Sequence, residues 1–353
     1  EIKPGFDGND DVEAPIVVAV ATAQEFNEAI ANAKVGEIIL SEDLTLDGSL
    51  VFGAPTRASN NLPGRAIVID GNGKTLKATK EGTGRVIDFT SATNGASLTL
   101  KNLTIENNVS YIERIINYNT NGHLTLEGVK IINANGCRCN YAVNLPGSSD
   151  NAVVTIKDSE IWAGAITLNI WGEKTLANIT DSKLYVVDNN ATEGYTVVSL
   201  NNAGENAAHN STVNVEGGEV KVIYEGEGAT NPSSAFRDAT VGSTINISDS
   251  TDVVGEIKIP VVNVVYEGYN EFYSFTTVQA AIDKVQADKN GTVRLIKDLV
   301  LTEPIEVKAC DYNVVLDLNG HNISSVDTAT SNYGLITNKG NLTVVGTGKL
   351  QLS

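Results

Sequence analysis

Acidic residues recur at turn positions along this chain and could hold a cation. Asp158, Asp181 and Asp249 each follow a short stretch of alternating apolar residues. A calcium site needs about six to eight oxygen ligands, several of them from charged carboxylates. Asp is also a common turn former, and no set of Lys or Arg residues accompanies these three. We therefore predict turn-forming roles and no metal or other cofactor site, while a Ca²⁺ site stays open as an unsupported alternative.

The sulfur and imidazole side chains form no recognisable chemical set. Cys137 and Cys139 make a C-x-C pair that could bind a soft metal, and Cys310 stands far from them. An odd number of cysteines gives no disulfide framework, and the sequence leaves open whether they are free. The three histidines lack zinc-type spacing. We interpret the cysteines as small, half-buried residues.

Aromatic side chains provide the remaining candidate for chemistry. Trp162 and Tyr185 occupy equivalent positions in adjacent repeats and should point outward, with Trp171 on the segment between them. Exposed aromatic faces often bind the apolar faces of sugar rings. These three residues are the predicted ligand-binding residues. The alternative is that a long loop, Asn189–Asn210, packs over the aromatic pair.

The elements that must position these residues are internal repeats. Apolar-x-apolar-x-turn-x-x-apolar units begin at residues 98, 124, 154, 177, 213 and 245, at unequal intervals. In the last unit the third apolar residue, Val253, comes one position late. Alternation of period two predicts strands with one buried face. Constant strands with loops of changing length predict coils of a parallel β-helix. Leucine-rich and left-handed hexapeptide repeats do not fit.

Outward positions in these repeats predict side-chain ladders. Thr or Asn lies between the first two apolar residues of every unit, at Thr99, Thr125, Thr155, Asn178, Asn214 and Asn246. Lys101, Glu127 and Lys157 follow the second apolar residue and should attract each other, because adjacent strands lie about 4.8 Å apart.

A helix should precede the strands of each of two segments. Thr22 and Glu25 form a capping box that opens an amphipathic helix, and Thr276 with Gln279 predicts a second. Strand motifs that follow the first helix recur after the second. The predicted fold is all-β, a right-handed parallel β-helix solenoid with an N-terminal amphipathic α-helical cap, followed by a second, shorter module. Its segments are a flexible acidic tether over 1–15, a capped β-helix over 16–259 and a second over 260–353.

Composition excludes several classes of partner. The chain has 353 residues, and 25 Lys and Arg against 43 Asp and Glu give a net charge of −18. A nucleic-acid partner is therefore excluded. The longest apolar run near the start, Ile16–Ala23, is too short to span a bilayer, which takes about 20 residues. The start, without a signal peptide or initiator Met, is expected to be a processed tether.

The order of helix, strand motif and D-x-N-G turn resembles the pectate-lyase-like right-handed β-helix superfamily of secreted bacterial proteins. Asp70-Gly-Asn-Gly73 and Asp317-Leu-Asn-Gly320 carry this resemblance, which is closest to repeat-bearing surface proteins and lipoproteins of gut Bacteroidetes. The resemblance covers most of residues 16–353. It implies an extracellular or cell-surface location, in which a processed N-terminus could carry a lipid anchor.

The resemblance is specific for the fold and not for the activity, because this fold hosts lyases, glycosidases, adhesins and binding modules. The motif set of the family's polygalacturonases is absent as a set. The leading hypothesis is a non-enzymatic extracellular protein that binds glycan or another surface ligand, as an adhesin or scaffold, with a polysaccharide or host-cell glycan as partner. The alternative is a divergent polysaccharide lyase or glycoside hydrolase that acts on acidic polysaccharide. A third hypothesis is a purely structural stalk module. Oligomeric state is left open.

Overall fold

Three long parallel sheets form the first and larger part of the molecule. The computed structural model describes residues 15–52, 66–82, 84–89, 95–188, 195–203, 206–225, 233–240, 242–267, 272–326 and 334–352. Most of the tether predicted over 1–15 and part of Asn189–Asn210 lie outside these residues. After the first strand of sheet 1, each coil contributes one strand to each sheet, so the predicted all-β, parallel β-helix fold is confirmed.

Sheet 1 has nine strands and sheets 2 and 3 have eight each. The strands of sheet 1 are Ile16–Val20, Val35–Leu40, Ala66–Asp70, Ser97–Lys101, His123–Glu127, Val153–Lys157, Leu176–Thr180, Thr212–Glu216 and Thr244–Ile247. Those of sheet 2 are Leu44–Leu46, Thr75–Ala78, Thr104–Asn107, Lys130–Asn133, Glu160–Ala163, Lys183–Asp188, Glu219–Tyr224 and Asp252–Val254. Those of sheet 3 are Leu50–Phe52, Arg85–Phe89, Tyr111–Tyr118, Arg138–Leu145, Ile166–Ile170, Thr196–Leu200, Ser234–Asp238 and Glu256–Lys258. A short antiparallel hairpin joins Asn202–Ala203 to Asn206–Ala207.

The predicted apolar columns are in register from coil to coil. In sheet 1 the paired residues are Leu98, Leu124, Val154, Ala177, Val213 and Ile245. In sheet 2 they are Ile105, Ile131, Ile161, Leu184, Val220 and Val253. Val253 keeps the register because the turn before its strand takes up the extra residue. These columns bury the repeated strands against each other and form the core.

A polar ladder runs along the outer face of sheet 1, as predicted. Asn214 Nδ2 donates to Asn178 Oδ1 at 2.9 Å, and Asn246 Nδ2 donates to Asn214 Oδ1 at 2.8 Å. Side chains of this ladder remain partly accessible to water.

The charged column beside this ladder differs in part from the expectation. Lys157 Nζ lies 3.3 Å from Glu127 Oε1, as expected. Lys101 Nζ instead lies 2.9 Å from Glu37 Oε1 and 3.3 Å from Asp70 Oδ2. The expected attraction between Lys101 and Glu127 is therefore replaced, because two carboxylates of the preceding coils reach the same ammonium group.

A second ladder, on sheet 3, is buried. Its column begins opposite Val51, whose 52% exposure marks this as the outer face, while the neighbouring Leu50 and Phe52 are buried. Successive side chains are joined by hydrogen bonds of 2.7–3.0 Å in the order Asp88, Asn117, Asn144, Asn169 and Asn201. Burial of amide groups is tolerated here because each one is paired with the next.

Helix α1 spans Ala23–Ala31 and begins with the predicted capping box. Glu25 N–H donates to Thr22 Oγ1, and Thr22 N–H donates to Glu25 Oε2, both at 3.1 Å. Phe26 is fully buried, and α1 packs against the first strands of all three sheets. That α1 serves as a lid on the solenoid stays a prediction.

Helix α2 spans Val278–Asp288, and its predicted capping box is wrong by one residue. Thr277 is the N-cap and accepts a hydrogen bond from Ala280 N–H at 3.1 Å. Gln279 Nε2 donates to Glu306 O at 2.9 Å, so this side chain ties the helix to a strand instead of closing a box. Neither described helix has the length and apolar character to cross a membrane.

Three shorter sheets contain the strands of the second part, and α2 packs against strands of two of them. One contains Val262–Val265, Phe272–Phe275, Gly291–Leu295, Asn313–Asp317 and Asn341–Val345. Two more contain Leu299–Leu301, Ile323–Ser325 and Leu350–Gln351, and Ile305–Val307 with Ile336–Asn338. Their buried side chains form a cluster from Val262 to Ile323, separate from the cluster between Val20 and Ile245. The boundary between residues 259 and 260 stays a prediction.

Candidate ligand-binding groove

Trp162 and Tyr185 lie side by side on sheet 2, in adjacent coils. The strands pair them directly in register, and their ring centroids are 4.3 Å apart with the planes tilted by 40°. Such a tilted stack is a favourable arrangement for two aromatic rings.

Hydrogen bonds from the ring edges fix both orientations. Trp162 Nε1 donates to Glu160 Oε1 at 2.9 Å, and the Tyr185 hydroxyl donates to Glu219 Oε2 at 2.8 Å. Lys183 pairs in register with Glu160 on one neighbouring strand and with Glu219 on the other. Its Nζ lies 3.3 Å from Glu219 Oε1. Each aromatic side chain is therefore tied to a carboxylate that also forms an ion pair with a lysine of the preceding coil, Lys130 for Glu160 and Lys183 for Glu219.

These contacts shift the acidity of the groups involved. The indole hydrogen bond from Trp162 holds the pKa of Glu160 below its usual value. Hydrogen bonds from Lys221 and then Tyr185 lower the pKa of Glu219 to about 2. Burial, reinforced by the bond to Glu219, raises the pKa of Tyr185 to about 12. Both acids are thus anions and Tyr185 is a neutral donor near neutral pH.

The two rings differ in accessibility. Tyr185 is only 7% exposed, whereas Trp162 is half-buried. Tyr185 therefore has little surface left for a ligand and acts as the support on which the indole ring is stacked.

Trp162 lines a groove of about 580 Å³ at the corner between sheets 2 and 3. A groove of this volume lies in the range that small-molecule sites occupy. Its walls are formed by Ile132, Asn133, Ala134, Gly136, Cys137, Arg138, Trp162, Ala163, Gly164, Val187 and Glu225.

Arg138 and Glu225 give this groove a cation and an anion. The Arg138 guanidinium carbon lies 5.5 Å from the centre of the Tyr111 ring, a cation–π distance. Sequence reasoning missed both residues, because they lie in corner segments that do not follow the alternating pattern.

The C-x-C pair is divided between the groove and the core. Cys137 lines the groove, whereas Cys139 is fully buried and its Sγ lies 3.8 Å from Trp162 O. Burial raises the pKa of the Cys139 thiol to about 11, so it stays protonated. All three cysteines are free.

Trp171 lies apart from this arrangement. It follows the sheet 3 strand Ile166–Ile170, and its backbone N–H donates to Leu145 O at 2.9 Å. It does not line the groove, and within the described ranges Trp162 stacks on Tyr185. The structure thus brings together two of the three predicted ligand-binding residues.

Two of the three acidic turn residues adopt the left-handed backbone conformation that turns often require. Asp158 and Asp181 have positive φ angles of 49° and 47°. Asp158 Oδ2 lies 3.5 Å from Lys157 Nζ. Across the part of the chain that the structure describes, no group of three or more His, Cys, Asp or Glu residues could hold a metal.

Comparisons with known proteins give one family model and two solved structures. Residues 17–159 match the family model described as a putative pectate lyase-like adhesive domain. Among solved structures, "L. reuteri 53608 SRRP" aligns over 94% of this chain and 99% of its own, with 14% identity and a TM-score of 0.43. "L. reuters 100-23 SRRP" aligns over 98% and 100%, with 14% identity and a TM-score of 0.34. A search of curated proteins finds no match. The family model over residues 17–159 and the three parallel sheets fit a pectate-lyase-like parallel β-helix.

Proposed function

We propose that this chain is a non-enzymatic, extracellular adhesin that binds glycan in the groove beside Trp162. The observation that carries the proposal is the fixed indole ring in the wall of a groove of about 580 Å³. An adhesive role is supported by the family model, and the groove wall from Ile132 to Arg138 lies within the matched residues.

Each wall residue would make a distinct contribution to sugar binding. Trp162 offers an apolar surface to the face of a sugar ring, with its orientation set by Glu160 and Tyr185. Arg138 provides several N–H donors for hydroxyl or carboxylate oxygens. Glu225 provides acceptors for hydroxyl groups.

Location follows from the same proposal. An adhesive domain acts at the cell surface or outside the cell, and attachment through a lipid at a processed N-terminus is part of this proposal. Mass measurement of the native N-terminal peptide, which would reveal an acyl group, tests the attachment.

Retention on immobilised polysaccharides tests glycan binding. The full chain is passed over a panel of plant, host and microbial polysaccharides, and Trp162→Ala is compared with Trp171→Ala. Both variants remove one half-buried indole, but only Trp162 lines the groove. We expect retention of the parent chain and of Trp171→Ala, with at least a tenfold loss for Trp162→Ala, about 1.4 kcal/mol. Equal retention of the two variants would place binding elsewhere.

The enzymatic alternative is tested on the same panel. New reducing ends or unsaturated uronides, measured with and without Ca²⁺, would show a hydrolase or a lyase and overturn the non-enzymatic proposal. Binding without products is the expected result.

A further inference from the structure

An exposed β-turn forms one lip of the groove. Cys137 N–H donates to Ala134 O at 2.9 Å and closes this turn. Asn135 and Gly136 occupy its centre, both are exposed, and Gly136 has a positive φ of 80°. This φ fits the third position of a type II turn, which favours glycine. The peptide between Asn135 and Gly136 can therefore rotate without breaking the bond that closes the turn.

An Asn-Gly pair with these properties can modify itself. When the Gly136 N–H loses its proton to the solvent base, the nitrogen can attack Cγ of Asn135. A C–N bond forms, the bond from Cγ to Nδ2 breaks, and ammonia leaves with a proton from water. Water then opens the five-membered succinimide at either carbonyl and leaves aspartate or isoaspartate. Glycine favours the reaction because it has no Cβ to restrict the backbone.

The reaction needs both the amide side chain and the next backbone N–H to be unrestrained. Among the described residues, neither the Asn135 side chain nor Gly136 N–H has a hydrogen-bond partner. At Asn72-Gly73, by contrast, Asn72 Nδ2 donates to Leu40 O at 3.4 Å and Gly73 N–H donates to Asn102 O at 2.9 Å.

The remaining described Asn-Gly pairs are also restrained. Asn319 Nδ2 donates to Leu295 O at 3.0 Å, and the N–H of the following glycine is bonded too. Asn290 Oδ1 accepts from Asn313 N–H at 2.7 Å, and Asn121 Oδ1 accepts from Gly95 N–H.

We propose that Asn135 is a self-modification site, which converts the lip of the groove from neutral to anionic. Its new carboxylate arises three residues from Arg138, whose guanidinium carbon lies 5.5 Å from the centre of the Tyr111 ring. The chemical step requires no ligand and does not depend on the proposed glycan binding. Its effect on recognition does rest on that proposal, because the altered residue belongs to the same groove.

Peptide mass mapping of the intact chain after ageing at mildly alkaline pH tests the proposal. Trypsin releases residues 131–138 with Asn135 and residues 66–74 with Asn72. We expect Asn135 to gain the mass of an amide-to-acid conversion at least about tenfold faster than Asn72, the factor for one hydrogen bond of about 1.4 kcal/mol. Chromatography should separate the aspartate and isoaspartate products.

Two controls make the outcome decisive. In chain unfolded in guanidinium chloride, the two pairs should convert at similar rates, because the restraining bonds are gone. Asn135→Gln should abolish the mass gain in residues 131–138. Equal rates for Asn135 and Asn72 in the folded chain, or a gain that persists in Asn135→Gln, would overturn the proposal. None of these mass measurements involves glycan. The modification of Asn135 can therefore be refuted while glycan binding is observed, and glycan binding can be refuted while the modification is observed.

Discussion

Asn169→Ala should destabilise the first β-helix strongly, because it interrupts the buried ladder of sheet 3. Asn169 is fully buried, and its Nδ2 donates to Asn144 Oδ1 at 2.7 Å. Its Oδ1 accepts from Asn201 Nδ2, also at 2.7 Å. Alanine would remove both bonds and leave an oxygen and an amide nitrogen unpaired, on residues that are 2% and 9% exposed.

The expected magnitude follows from desolvation of these two groups. An unpaired buried polar group costs about 1–3 kcal/mol, so the pair should cost about 2–6 kcal/mol. At about 2–4 °C per kcal/mol for a unit of this size, that corresponds to a fall in melting temperature of about 4–24 °C.

Asn214→Ala is the matched control. Asn214 also occupies the middle of an asparagine ladder and exchanges hydrogen bonds with Asn178 and Asn246 at 2.9 and 2.8 Å. Water can replace the lost bonds on that half-exposed face, so the cost should stay below about 1 kcal/mol. Thermal melts by circular dichroism and urea titrations would compare the variants. A melting temperature for Asn169→Ala equal to that of Asn214→Ala would refute the argument.

Two further predictions concern the stability of the first β-helix, at Ile161 and at Glu219. Ile161→Asp should abolish the cooperative melt of the first β-helix, because it buries an unpaired charge where Ile161 is fully buried, at a cost of several kcal/mol. Thr155→Asp, a change at a half-exposed position, should retain that melt in the same scan. Glu219 should make the free energy of unfolding depend on pH. Its pKa is about 2 in the folded chain, against an ordinary value of 4.5. Its stabilising contribution is therefore complete above pH 4.5 and is lost as the pH falls toward 2. Urea midpoints at pH 6 and pH 3 should differ less in Glu219→Gln than in the parent chain, and an unchanged difference would contradict this.

The sequence predicts sheets 1 and 2 in detail because their alternation reports burial directly. The inward residues of these strands are mostly apolar, with Asn107 and Asp188 as buried polar exceptions. A slip of one residue would turn the whole column toward solvent. Ion pairs between side chains depend on how far each side chain extends, and the alternation of apolar residues does not encode that. Lys101 therefore pairs with Glu37 and Asp70.

Sheet 3 is harder to predict because its strands vary in length and bury both faces in places. Tyr111–Tyr118 has eight residues, the last four of them buried, so no alternation of burial is visible there. A signal was nevertheless present. Asn117, Asn144 and Asn169 each stand between two large apolar residues, which is unusual for an amide unless it is paired. Recognising that triplet would have revealed the buried ladder.

The groove lies at a corner between sheets, where the alternation of apolar residues does not predict which side chains come together. Trp162 is in a strand that alternation describes, but Arg138, Gly136 and Glu225 lie at or beside the corner that closes each coil. Corner residues contribute little to the apolar columns, so their identity can vary without loss of the core. Changes at Arg138 should consequently alter ligand binding while leaving the melting temperature nearly unchanged. A ligand site built on such corners can be remodelled by replacing exposed residues, while the stacked strands keep the indole of Trp162 in a fixed position.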